Sequence, residues 1–148
     1  MRILKHIQRS RRLEAAMLNS VSLFAVLLNF ILSDASAAVV ALEPDEQGIQ
    51  RGRIEMDSYS YSPNELSVQA GKLVELTFRN NATFAPHTFV LDDSAANLQV
   101  QVEVSAGQSK TVQFIPKQPG SFTFYCDKKL LFFKSHRERG QEGHLQVR

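Results

Sequence analysis

The chain has 148 residues, of which 43% are hydrophobic and 22% charged, with ten Phe and no Trp. That length holds one compact domain plus a targeting segment, and the composition excludes a disordered chain. The formal net charge of +2 resides in the N-terminus: residues 1–37 hold five of the 17 Lys+Arg (Arg2, Lys5, Arg9, Arg11, Arg12) and two of the 15 Asp+Glu (Glu14, Asp34), leaving −1 on the rest. A near-neutral body lacks the electrostatic footprint of a nucleic-acid binder.

Residues 1–37 read as an export signal. A basic stretch to Arg12 precedes an apolar run from Ala15 to Leu32, and Ala35-Ser36-Ala37 supplies a small-x-small cleavage pattern. The competing reading is an uncleaved membrane anchor, against which Asn19, Ser20, Ser22 and Asn29 weaken the run. Ser10-Arg11-Arg12-Leu13 resembles a twin-arginine signal, although Glu14 stands where apolar residues are usual, so the route stays open between Sec and twin-arginine export. Either way the expected location is periplasmic or otherwise extracytoplasmic. The single cysteine, Cys126, cannot form an internal disulfide there. It is buried and inert, paired between chains, or chemically active.

Residues 38–52, with Glu43, Pro44, Asp45, Glu46 and Gly48, read as a flexible linker without packing periodicity. From Arg53 to the end, short β-type runs alternate with turn signals. The expected strands are Arg53–Ser60, Leu66–Gln69, Leu73–Arg79, His87–Leu91, Leu98–Val104, Lys110–Ile115, Ser121–Cys126 and His144–Val147. In the third, Val74, Leu76 and Phe78 share a face against Glu75 and Thr77; in the fifth, Leu98, Val100, Val102 and Val104 alternate with Gln99, Gln101 and Glu103. Period-two patterning throughout, with no helical stretch, predicts an all-β domain over residues 53–148, an antiparallel Greek-key sandwich or barrel. Its expected core is Val74, Leu76, Phe78, Phe89, Leu91, Val100, Val102, Val112, Phe114, Phe122 and Phe124.

Parity then locates the chemistry. Cys126 shares the parity of Phe122 and Phe124, and His87 that of Phe89 and Leu91, so both point inward at strand ends. His136 follows ten residues after Cys126, and Gln141 five after that. One thiolate, two imidazoles and a weak fourth ligand match a blue-copper site, whereas structural zinc sites favour several cysteines. His144 has the other parity and reads as a surface residue. The run Leu130-Leu131-Phe132-Phe133, set among Lys128, Lys129, Lys134, Arg137 and Arg139, reads either as a soluble rim or as a docking surface for an acidic partner.

Tyr125-Cys126 closing a strand, followed by Ser135-His136-Arg137-Glu138-Arg139-Gly140-Gln141-Glu142-Gly143, resembles the C-terminal signature of the cupredoxin (blue copper) family, whose plastocyanin and azurin types order Cys, His and a Gly-Met pair before the last strand. The resemblance covers about residues 53–148. It implies Cys126 as thiolate ligand, His136 as C-terminal imidazole, His87 after Pro86 as N-terminal imidazole, and Thr88 as a residue hydrogen-bonding towards the cysteine loop. Gln141 stands where Met is usual, which resembles the stellacyanin type; an amide oxygen is harder than a thioether and favours Cu(II). Nine residues separate Cys126 from His136, longer than the family's small electron carriers usually show.

The expected function is therefore an exported type 1 copper protein carrying single electrons, with one copper ion on His87, Cys126, His136 and Gln141. It is expected to be a monomer serving a cytochrome or oxidoreductase, with no nucleic acid and with membrane contact only through an uncleaved leader. Four protein ligands leave no open position for a substrate, so an enzyme is not expected. The alternatives are a copper protein for storage, delivery or resistance, and a metal-free interaction module.

Overall fold

In the computed structural model, the structure describes residues 38–148. The leader, its cleavage pattern and its twin-arginine motif lie outside the described residues. Ten strands run in chain order: β1 (Val40–Ala41), β2 (Ile49–Asp57), β3 (Ser60–Ser62), β4 (Glu65–Val68), β5 (Leu73–Asn80), β6 (His87–Asp93), β7 (Leu98–Val104), β8 (Ser109–Phe114), β9 (Gly120–Tyr125) and β10 (Glu142–Val147). A single 3-10 turn, Arg137–Arg139, is the only helical element among the described residues.

The strands form two sheets, ordered β1-β4-β10-β9-β6-β7 and β3-β2-β5-β8. This is the all-β two-sheet sandwich that the period-two patterning predicts. Three pairings are parallel, β1 with β4, β4 with β10 and β2 with β5, alongside the antiparallel ones. Local alternation shows only that a strand has one buried face; it says nothing of its partner's direction.

β5 shows how sequence sets position. Val74, Leu76, Phe78 and Asn80 are all buried, and the intervening residues are half-exposed. The core lies between the sheets, where Phe78 and Phe89 (ring centroids 4.6 Å), Phe89 and Phe124 (5.0 Å) and Tyr61 and Phe124 (5.3 Å) pack in series. Tilted and edge-on aromatic pairs add about 0.5–1.5 kcal/mol each beyond the area they bury. Six of the eleven expected core residues are buried; Val100, Val102, Val112, Phe114 and Phe122 are partly buried at the margin of the core.

The expected linker is corrected here. Residues 38–52 supply β1 and the start of β2, with Leu42 buried in the core and Gln50 fully buried. Gln50 exchanges hydrogen bonds with the backbone of Gln69, donating from Nε2 to its carbonyl (3.1 Å) and accepting from its N–H at Oε1 (2.6 Å). Gly52 leaves the space that Leu42 occupies: a Cβ there would lie 2.7 Å from a Leu42 methyl. The buried members of this segment are one leucine and one glutamine, which leave no apolar period to read. Leu42→Ala should therefore cost about 2–4 kcal/mol, as for other buried leucines. Chemical denaturation of the two proteins checks this, since a loose tail would show no loss.

Candidate metal centre

β6 and β9 lie side by side, with Val90 opposite Tyr125 and Leu91 opposite Phe124. This register brings His87, at the start of β6, and Cys126, just past β9, to the same end of the sheet, and both are buried. Asn80 fixes the approach to His87. Its Nδ2 donates to the carbonyls of Ala85 and Val104 (both 2.9 Å), and its Oδ1 accepts from the Ala82 N–H (2.9 Å). The Asn80-Asn81 pair reads in sequence as a loop opener; a buried amide satisfied by three backbone groups is more than that, and its place on the inward face of β5 is the signal that finds it.

His136 and Gln141 come from the segment between β9 and β10. The His136 N–H donates to the Lys128 carbonyl (2.8 Å), closing the nine-residue segment between Cys126 and His136 near its base so that the excess chain loops outward. The 3-10 turn follows directly, and Gly140 ends it in the left-handed region (φ 101°), a conformation glycine adopts without steric cost. The chain thereby turns back. The Gln141 N–H reaches the His136 carbonyl (3.0 Å), and the Cys126 N–H donates to the Gln141 carbonyl (3.1 Å).

Three donor atoms converge. Cys126 Sγ lies 3.5 Å from His136 Nδ1 and 4.0 Å from His87 Nδ1, and the two Nδ1 atoms are 3.2 Å apart. The circle through them has a radius of about 2.1 Å, within the roughly 2.0–2.3 Å that metal–imidazole and metal–thiolate bonds require. Lone pairs on three acceptors this close repel one another unless a proton or a cation lies between them. Gln141 is fully buried. Its Nε2 faces the carbonyls of Ser60 (3.3 Å) and Asp57 (3.5 Å), while its Oε1 has no hydrogen-bond partner among the described residues. A buried, unpaired acceptor beside the cluster fits a cation better than an apo core.

The surroundings hold these atoms still. The Thr88 N–H donates to Cys126 Sγ (3.4 Å); the Thr88 hydroxyl donates to Asp127 Oδ1 (2.6 Å) and accepts from the Asp127 N–H (3.0 Å). Thr88 thus does join the two ligand segments, as its position implies. Tyr61 donates from its hydroxyl to the Thr88 carbonyl (2.5 Å). Burial above all, then the charges of Cys126 and Asp127, push the Tyr61 phenol well above its ordinary range, so it remains a donor. Tyr59 sets its ring edge-on to His136 (5.1 Å), and the Arg139 guanidinium lies 4.7 Å from the Tyr59 ring centre. Asp127, Tyr59 and Tyr61 are site residues that sequence reasoning missed; only the two tyrosines' nearness to Pro63 and Asn64 in a turn hints at a role. His144 sits away from the cluster, paired with Glu65 (2.7 Å).

Both histidines are held below their ordinary pKa of 6.5, chiefly by burial. His136 adds a further lowering to His87, and Arg139 and Lys128 add to that of His136, while the Gln141 amide opposes the shift at both. The folded, metal-free chain therefore binds fewer protons than the unfolded chain below pH about 6.5, and its stability falls as pH drops through that value towards the folded pKa. Thermal melts of metal-free protein from pH about 7.5 to 5.5 should show a falling Tm. Replacing both histidines with Asn should remove most of that slope.

The family model described as "Cupredoxin-like domain" matches residues 22–141. No curated protein matches the chain. Among solved structures, reduced rusticyanin is similar with a TM-score of 0.57 at 14% identity, over 84% of this chain and 93% of its own. The metal-binding domain of the Cu(I)-exporting P-type ATPase CopA from Streptococcus pneumoniae D39 gives 0.56 at 20% identity, over 76% and 98%. Dithionite-reduced auracyanin from the photosynthetic bacterium Roseiflexus castenholzii gives 0.55 at 18%, over 66% and 96%. At these identities the likeness is one of fold.

Proposed function

This chain belongs to the cupredoxin-like family, and from that premise we propose that it is an exported carrier of single electrons, with one copper ion held by His87, Cys126, His136 and Gln141. The observation that carries the reading is the convergence of Sγ and two Nδ1 atoms on a circle of metal-bond radius, with an unpaired amide oxygen beside it. Copper is the ion this donor set selects, because one soft thiolate and two imidazoles suit both Cu(I) and Cu(II). Bound there, it supplies a one-electron couple.

The chain's own residues keep the cost of that exchange low. His87 and Cys126 are buried at adjacent strand ends, and backbone hydrogen bonds fix Cys126 from two directions, from Thr88 and to Gln141. A donor set held by β-ladder geometry moves little when the charge inside it changes. The Thr88 N–H withdraws electron density from the sulfur, and such outer hydrogen bonds tune potential. His136 is half-buried and lines an open cleft with Tyr59, Phe84, Pro86 and Phe133. Its ring edge is the shortest way out for an electron, towards a soluble or membrane-bound redox protein. The leader pattern supports work outside the cytoplasmic membrane.

A copper-delivery role is the second reading, favoured by the fold shared with a copper exporter's metal-binding domain. Reversible voltammetry without copper loss supports the carrier; prompt copper transfer to an acceptor apo-protein supports delivery.

Cys126→Ser should abolish the intense visible thiolate-to-Cu(II) absorption of copper-loaded protein while leaving the β circular dichroism intact. Equal colour in the variant would reject the thiolate assignment. Gln141→Met should raise the reduction potential, because a thioether favours Cu(I) relative to an amide oxygen. Voltammetry of both forms at one pH measures the shift, and an unchanged potential would remove Gln141 from the ligand set.

A further inference from the structure

The insertion between Cys126 and His136 leaves its apolar residues outside the core. Leu130, Leu131, Phe132 and Phe133 are 66%, 75%, 85% and 49% exposed, and Phe84, on the loop before His87, is 90% exposed. Four consecutive large apolar side chains in water are a standing cost for a folded domain, and such patches mark contact surfaces. They are not a collapsed tail. The Phe133 N–H donates to the Leu130 carbonyl (3.0 Å), Leu131 occupies the left-handed region (φ 47°), and Phe132 and Phe133 pack on each other (5.1 Å). The result is a formed turn with an apolar tip.

Charge surrounds that tip. From residue 127 to 139 there are five basic residues and two acidic ones. Both acids are engaged within the loop's base: Asp127 with Thr88, and Glu138 with the Ser135 N–H and hydroxyl. Lys128 pairs with Glu103 and Arg137 with Glu142, whereas Lys129 and Lys134, one on each stem of the turn, make no ion pair among the described residues. An apolar knob with cations on both stems places acyl-seeking side chains ahead of anion-seeking ones.

We propose that this turn docks the domain on an anionic lipid surface, with Leu131 and Phe132 entering the acyl boundary and Lys129 and Lys134 at the level of the phosphates. The tip is the reason for choosing lipid over an acidic protein: Leu131 and Phe132 are largely exposed and stand outside the cleft that Leu130 and Phe133 line. A protein partner must supply a matching cavity for these two large side chains, while a bilayer interface accepts any apolar protrusion and adds headgroup charge for the lysines. Phe84 lies across the same cleft as Leu130 and Phe133, giving a second apolar prong. Docking this way turns the cleft and the His136 edge towards the membrane plane. The contact needs neither the leader nor a bound metal.

The absence of tryptophan provides the test. Phe132→Trp places a unique fluorophore on the tip at a largely exposed position, where it should not disturb folding. Copper-free, full-length protein is mixed with phosphatidylcholine vesicles or with equal mixtures of phosphatidylcholine and phosphatidylglycerol, each with and without brominated acyl chains. The expected result is a blue-shifted emission quenched by bromine in the anionic vesicles, weakened by added salt and small in neutral ones. Lys129→Gln with Lys134→Gln in that background should weaken the response roughly tenfold or more. Because the leader is the same in both proteins, the loss in the double lysine variant separates docking by the turn from tethering by the leader. Emission that stays at its solvated wavelength, unquenched in anionic vesicles, would overturn the proposal and leave an acidic protein as the occupant of the knob.

Discussion

The rest of the structure is arranged around a local repulsion: Sγ of Cys126 and Nδ1 of His87 and His136 are held within 4.0 Å of one another. All three are lone-pair donors to a cation, and burial raises the cost of leaving them without one. Nothing in their own chemistry brings them together. The sheet does so, through the β6–β9 register that sets His87 beside Cys126 and through the backbone hydrogen bond from Cys126 to Gln141 that folds the ligand loop back. Gln141 Oε1 and His87 Nε2, buried and without a partner among the described residues, are part of the same expense. A protein evolved for packing alone would fill this end of the sandwich with apolar side chains, as it does around Phe78, Phe89 and Phe124.

Two devices let the chain meet that constraint while carrying a long insertion. The hydrogen bond from His136 to Lys128 closes residues 129–135 into a loop of their own, so the spacing between Cys126 and His136 in sequence does not set their spacing in space. The Thr88–Asp127 pair then locks the start of the loop to the strand that carries His87. The loop's length is thus absorbed outside the donor cluster, while its Leu130 and Phe133 line a cleft with His136. The half-buried His136, against Tyr59, is where the interior and that cleft meet.

Strand existence and the inward parity of His87 and Cys126 were legible because one buried face imposes a period of two. β7 matches its expected limits, Leu98–Val104, since its alternation is uninterrupted. Pairing direction was not legible, because parallel β2–β5 and antiparallel β5–β8 place the same side chains inward. The segment 38–52 misled for a related reason: Leu42 and Gln50 are buried by specific contacts without forming a pattern. In the site, His136 and Gln141 could be read from their offsets after Cys126. Tyr59, Tyr61 and Asp127 could not, since their contacts with His136 and Thr88 depend on three-dimensional closure of the β3 turn and the ligand loop.

The central claim is that Cys126, His87 and His136 bind one copper ion together. Copper-edge X-ray absorption on protein loaded with one equivalent of Cu(II) tests it most directly, because it reports the atoms bound to the metal. The account predicts one short copper–sulfur contact and one shell of two imidazole nitrogens, changing little on reduction. A spectrum showing only nitrogen and oxygen neighbours would contradict it.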